Sequence, residues 1–176
     1  MIDERIAMRQ AFGEVLLELG ERIPELVVLD ADVSNSTQTV HFGKKYPDRF
    51  FNVGVAETNL VDVAAGMATS GLRPIVSTFA LFLALKGAEQ IRNTISYNHL
   101  PVILAGGYAG LSDSFDGASH QCITDIAIMR ALPGMQVFVP FDPGQVKQIL
   151  EHALEVDGPV YIRLCRNPVP SLPPGN

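Results

Sequence analysis

Glu57 closes the run Asn52-Val-Gly-Val-Ala-Glu57 and opens a stretch with helical spacing at Leu60, Ala64 and Met67. Its neighbours Val53, Gly54, Val55 and Ala56 are small or apolar and take the carboxyl out of water. Burial favours the neutral acid, whereas the dipole at a helix first turn favours the charged form. A carboxyl held between those pulls can exchange a proton with a ligand nitrogen; the plainer reading is an acid that only complements the dipole. Phe79 and Phe82 stand three apart, a spacing that suits either a core pair or a platform for a flat heterocycle. Asp116 and His120 share one loop with several serines, a set fitted to hydroxyl recognition or proton transfer. Close to His120 no second His or Cys follows except Cys122, and no Gly-x-Ser-x-Gly elbow exists, which argues against a zinc site and against Ser-His-Asp hydrolysis. Arg9 and Ser36 together could bind a phosphate, although a helical arginine is ordinarily just solvated or ion-paired.

The elements that must position these residues follow from hydrophobic period. Six short apolar runs read as strands: 27–30, 51–53, 74–77, 102–105, 136–139 and 160–163. Helical patterns fill the intervals at about 4–19, stopping at Gly20, and at about 57–70, 82–97, 123–132 and 143–156. Alternating strands and helices predict a three-layer α/β/α domain around a mostly parallel six-stranded sheet. Ligands bind such sheets beyond the carboxyl ends of the strands. That rule selects 31–38, 54–59, 78–82 and 106–120, which hold Asp32, Ser36, Glu57, Phe79, Phe82, Asp116 and His120. The stretches 32–49 and 106–119 lack a period and read as functional loops.

The 176 residues, 47% of them hydrophobic, suffice for one buried core. With 13 basic and 19 acidic side chains, a net charge of -6 argues against nucleic-acid binding through a basic face. The longest apolar stretch, around 75–85, falls short of the roughly 20 residues that span a bilayer, so no membrane segment is expected. The charged N-terminus lacks a secretory apolar core, which predicts a cytoplasmic protein. Cys122 and Cys165 read as reduced, buried thiols. Four prolines fall in 167–176, a composition that predicts a linker without regular structure, following a domain over 1–166 and leading to another.

Taken in order, several strings resemble the pyrimidine-binding domain of transketolase and related thiamine-diphosphate enzymes. They are Leu29-Asp-Ala-Asp-Val-Ser-Asn-Ser36, Arg49-Phe-Phe-Asn-Val-Gly-Val-Ala-Glu57, Thr78-Phe-Ala-Leu-Phe82, Glu89-Gln-Ile-Arg92, Asp116-Gly-Ala-Ser-His-Gln121 and Leu132-Pro-Gly-Met-Gln-Val-Phe-Val-Pro140. The resemblance is nearest to the C-terminal subunit of split transketolases. It implies that Glu57 binds N1′ of the cofactor's aminopyrimidine and favours the tautomer that removes the thiazolium C2 proton. It implies that Phe79 and Phe82 line the pyrimidine pocket, with Phe82 stacking, and that Asp32 is an acid near the cofactor. His120 and Asp116 match residues that contact sugar hydroxyls, His120 in a catalytic position, while Arg9 and Ser36 match positions that hold the sugar phosphate.

Three positions depart from the family pattern: Tyr108 where histidine is usual, Phe115 where an acid precedes Asp116, and Thr58 where glutamine follows the glutamate. These border the substrate channel and put the identity of the sugar in question. The Gly-Asp-Gly motif that holds the diphosphate and Mg2+ in this family does not occur in these residues. The resemblance therefore implies a diphosphate-binding partner, self-association into a dimer of such pairs, and a sugar-phosphate substrate. The alternatives it leaves are a deoxyxylulose-phosphate synthase, an oxo-acid dehydrogenase β subunit, or a non-catalytic assembly domain.

Overall fold

A computed structural model describes residues 5–171. The chain runs β1 (Arg5–Ala7), α1 (Met8–Arg22), β2 (Leu26–Asp30), α2 (Ser34–Thr37), α3 (Val40–Lys45), β3 (Phe50–Asn52), α4 (Glu57–Thr69), β4 (Arg73–Phe79), α5 (Ala80–Lys86), α6 (Ala88–Gln90), β5 (Ile103–Gly107), α7 (Asp125–Arg130), β6 (Gln136–Phe138), α8 (Pro143–Glu155), β7 (Val160–Arg163) and β8 (Pro168–Pro170). A 3-10 turn, Pro47–Arg49, leads into β3, and a π-turn, Ile91–Ser96, follows α6. Six strands form one sheet in the order β3-β2-β4-β5-β7-β6, every neighbouring pair parallel.

Strand period divides the core into two layers. Val27, Leu29, Val76, Leu104 and Tyr161 face the layer built with α4, α5 and Met129 of α7. Leu26, Val28, Ile75, Ile103, Ala105, Val160 and Ile162 face the other, built with α1, α8 and Phe42 of α3. Both faces of the central strands are thus covered, which is why the strands read as unbroken apolar runs and why all six lie within two residues of their predicted bounds.

Strand order places the ligand end. β2 pairs with β3 on one side and β4 on the other, so the chains leaving β2 and β4 diverge and open a crevice beyond their carboxyl ends. Asp30 shapes one wall of it. Its buried carboxylate accepts hydrogen bonds from the Val33 N–H at 2.7 Å and from the Thr37 and Thr39 hydroxyls, each at 2.8 Å. Those bonds turn much of the expected loop 32–49 into α2, α3 and the 3-10 turn. Burial pushes the Asp30 carboxyl above the ordinary range, against the pull of those donors.

The ends of the described chain correct two expectations. Residues 168–170, read as part of an irregular linker, form β8 antiparallel to β1, with Val169 opposite Ile6. Only alternate residues of a two-stranded edge need donate, so Pro168 and Pro170 fit on either side of Val169. Residues 172–176 lie outside the described residues. Because β1 takes Arg5–Ala7, the first helix starts at Met8, and it continues through Gly20 to Arg22. Gly20 is a packing site, not a stop. A Cβ there would meet the Tyr46 and Phe42 rings at 2.6 and 2.7 Å. Arg49 supplies the missing cap, donating to the Gly20 carbonyl at 2.7 Å and the Ile23 carbonyl at 2.9 Å. The helix predicted over 82–97 is broken at Gly87 into α5, α6 and the π-turn. Among the described residues no helix is long and apolar enough to cross a membrane.

Candidate active site

Four loops carry the site, at the carboxyl ends of β2, β3, β4 and β5. β4 extends past its predicted end to Phe79, so Thr78 and Phe79 are still paired in the sheet, opposite Gly106 and Gly107. Phe79 is 9% exposed and its ring lies 4.5 Å from Tyr108 and 6.0 Å from Phe82, centroid to centroid. His120 meets both phenylalanines edge-on, at 5.8 Å from Phe79 and 5.1 Å from Phe82. The pair Phe79 and Phe82 and the separately named His120 therefore form one aromatic wall, with Phe82 half-buried at its open side.

Glu57 is the first residue of α4 and only 4% exposed. Its Oε2 is 3.0 Å from Lys86 Nζ, and the same ammonium lies 4.6 Å from the Phe82 ring centroid. Lys86 thus ties the buried carboxyl to the aromatic wall. Sequence reading missed it, although Lys86 is four residues past Phe82 on one helix, the spacing that puts two side chains on one face.

Arg9 of α1 donates to the Ser36 carbonyl at 3.2 Å and to the Tyr108 hydroxyl at 2.6 Å. Ser36 thus meets Arg9 through its backbone. Among the described residues Arg9 forms no ion pair, so a partly buried guanidinium is left with neutral partners. Tyr108 carries Arg9 at 5.5 Å and Arg166 at 4.9 Å from its ring centroid. Asp32 accepts a hydrogen bond from Asn52 Nδ2 at 2.8 Å across the β2–β3 ends. Asp32 and Tyr108 both have left-handed backbones, φ 65 and 57, a conformation disfavoured for a side chain as large as tyrosine.

Asp116 is exposed, and its neighbour Asp113 is buried. Burial raises the Asp113 carboxyl above the usual range, the adjacent Asp116 adds to this, and Arg166, donating to it at 2.7 Å, opposes it. Arg166 lies beyond the carboxyl end of β7, so applying the strand-end rule to that strand would have found it. The loop bearing Asp116 and His120 is closed at its base by a bridge between Gly110 and Cys122. Cys122 is buried, and burial pushes its thiol up to about 11, which makes it inert; Cys165 is only partly buried.

The residues present suit a flat, nitrogen-bearing ring: a buried carboxyl for the nitrogen, an aromatic wall for the face, and the buried Thr78 hydroxyl, which has no hydrogen-bond partner among the described residues.

An all-parallel doubly wound domain with an acid and aromatics at its switch point defines a class of ligand-binding α/β domain. Residues 4–171 match the family described as transketolase, pyrimidine binding domain, and the chain belongs to that family of thiamine-diphosphate enzymes. A protein of Methanocaldococcus jannaschii described as a transketolase C-terminal section is 48% identical over 159 residues, covering 90% of this chain and 50% of the relative. The 6-deoxy-6-sulfo-D-fructose transketolase subunit SqwH of Clostridium sp. (strain MSTE9) is 35% identical over 161 residues, covering 92% and 50%. A solved structure, described as a split gene transketolase, inactive beta4 tetramer, superposes with a TM-score of 0.85 at 52% identity, covering 96% of this chain and 54% of that one. The chain spans about half the length of these relatives.

Proposed function

We propose that this chain supplies the aminopyrimidine side of a thiamine diphosphate site and, with a diphosphate-binding partner, transfers a two-carbon ketol unit between sugar phosphates. The observation that carries this reading is the buried Glu57 carboxyl joined through Lys86 to the Phe79, Phe82 and His120 wall. When bound, thiamine diphosphate supplies a thiazolium carbon that adds to a ketose carbonyl and lets its two-carbon end be transferred. Glu57 would hold the ring nitrogen and move a proton to it. Phe82, with Phe79 behind it, would hold the ring face, and Asp32, two residues past the end of β2, would be an acid near the cofactor. His120, against both rings, and Asp116 on the same loop would orient sugar hydroxyls, and His120 would also move protons on them.

Arg9 supports a ketose with an anionic end. Its guanidinium has only neutral partners among the described residues, the Ser36 carbonyl and the Tyr108 hydroxyl, so a phosphate would be its counter-ion. One relative is named for a sulfo-sugar, whose sulfonate has the same charge-bearing chemistry. Mg2+ and the diphosphate belong to the partner in this reading. Val55, Leu85, Leu111 and Phe115, exposed on the strand-end loops and on α5, suit a surface covered by that partner or by a second copy.

The test combines this protein with its diphosphate-binding partner, thiamine diphosphate and Mg2+ and measures ketol transfer. Glu57→Gln keeps the shape and removes the titrating group, so kcat should fall by about 10²- to 10⁴-fold. Unchanged activity would overturn the assignment.

A further inference from the structure

Lys86 ends α5, and its ammonium lies against both groups assigned above to a heterocycle, the Glu57 carboxyl at 3.0 Å and the Phe82 ring at 4.6 Å. Its position has a local cause. At Gly87 the chain bends out of α5 so closely that a Cβ would meet the Leu83 carbonyl at 2.7 Å and Val61 of α4 at 3.3 Å. That contact brings the end of α5 onto the first turns of α4, within reach of Glu57. The two partners differ in freedom: Glu57 is 4% exposed, whereas the Lys86 side chain is 50% exposed. A carboxylate taken out of water needs a compensating charge, and the half-exposed ammonium regains its hydration as soon as it turns outward.

Resting on the function proposed above, we infer that Lys86 is a positioning residue that occupies the pocket in the unloaded protein. It compensates the Glu57 charge and covers Phe82 until a ring takes its place, then withdraws to solvent. The ammonium and a stacked ring compete for one face of Phe82, so loading requires the ion pair to break. Two effects of opposite sign follow. Without the lysine charge the unloaded protein is less stable, because Glu57 is buried without a counter-ion, and the ring binds more tightly, because nothing has to be displaced.

Lys86→Met keeps most of the aliphatic stem and removes the charge. The unloaded protein is followed by thermal unfolding, and its complex with the diphosphate-binding partner is titrated calorimetrically with thiamine diphosphate in Mg2+. Lys86→Met should lower the unloaded Tm by about 3 °C and lower the Kd by about tenfold, equivalent to about 1.4 kcal/mol. Lys86→Arg should restore the Tm, and in a Glu57→Gln background Lys86→Met should leave it unchanged. A lysine that serves only the fold would lower the Tm without tightening the Kd, and one that holds the ligand would weaken binding; either result overturns the inference. An unchanged Tm in Lys86→Met overturns it as well. A wild-type complex with no affinity for thiamine diphosphate overturns the proposed function together with the displacement, whereas wild-type binding that Lys86→Met fails to improve overturns the displacement alone.

Discussion

Asp125 anchors the loop that carries Asp116 and His120, and its removal tests how the fold holds the site. The carboxylate is 1% exposed and its Oδ2 accepts two hydrogen bonds, from the Tyr161 hydroxyl and from Arg163 Nε, both at 2.8 Å. Arg163 in turn donates to the Cys122 carbonyl at 3.3 Å, the same carbonyl that accepts from the Gly110 N–H at 2.8 Å. Asp125→Ala leaves a fully buried phenol without an acceptor and a guanidinium, 16% exposed, without its counter-ion. Breaking such a pair costs about 3–5 kcal/mol when both partners are sealed, and the partial access of Arg163 to water points to about 3 kcal/mol. At this chain length that is a fall in Tm of about 6–12 °C. Asp125→Asn keeps an acceptor but not the charge and should cost about half as much. Urea unfolding gives the free energies, and hydrogen exchange at the Gly110 amide reports whether the base of the loop opens. A loss under about 1 kcal/mol in Asp125→Ala, with Gly110 protection unchanged, would refute the reasoning.

Two further predictions separate stability from binding and define a pH response. Phe79→Ala removes a buried ring packed on Tyr108 and His120 and should cost about 3 kcal/mol or more in denaturant unfolding; Phe82→Ala, half-buried, should cost less yet weaken thiamine diphosphate binding to the complex more than it weakens the fold. Asp30 and Asp113 are both raised above the ordinary carboxylate range, chiefly by burial, so the folded state keeps protons that the unfolded chain has released. Their contribution to stability is therefore lost as pH rises from about 4 through the raised values, and Asp30→Asn should flatten that decline in unfolding free energy measured between about pH 4 and 7.

The six sheet strands, the five main helical segments and the aromatic and acidic residues at the strand ends were legible because each rests on local pattern. Continuous apolar runs marked strands covered on both faces, and the strand-end rule found the loops of Glu57, Phe79, Phe82 and His120 without knowledge of strand order. Where the structure departs from local pattern, a distant partner intervenes. Residues 168–170 are extended because β1 pairs with them, Gly20 stays helical because rings from 42 and 46 cover it, and 32–49 is largely helical because the Asp30 carboxylate gathers its donors. Arg166, past the end of β7, obeys the same strand-end rule.

Residue type and spacing by themselves determined an α/β domain, an acid at a helix start, an aromatic pair and an Asp-His loop, because hydrophobic period and first-turn chemistry act over a few neighbouring residues. Only the tertiary structure decided which of these meet. Lys86 pairs with Glu57 across 29 positions, and Arg9 reaches Tyr108 across 99. Those distances in sequence close only when parallel strands bring their carboxyl ends together, and local patterns carry no record of which side chains share that end. The pairing of Glu57 with Lys86 and the neutral partners of Arg9 are properties of that juxtaposition.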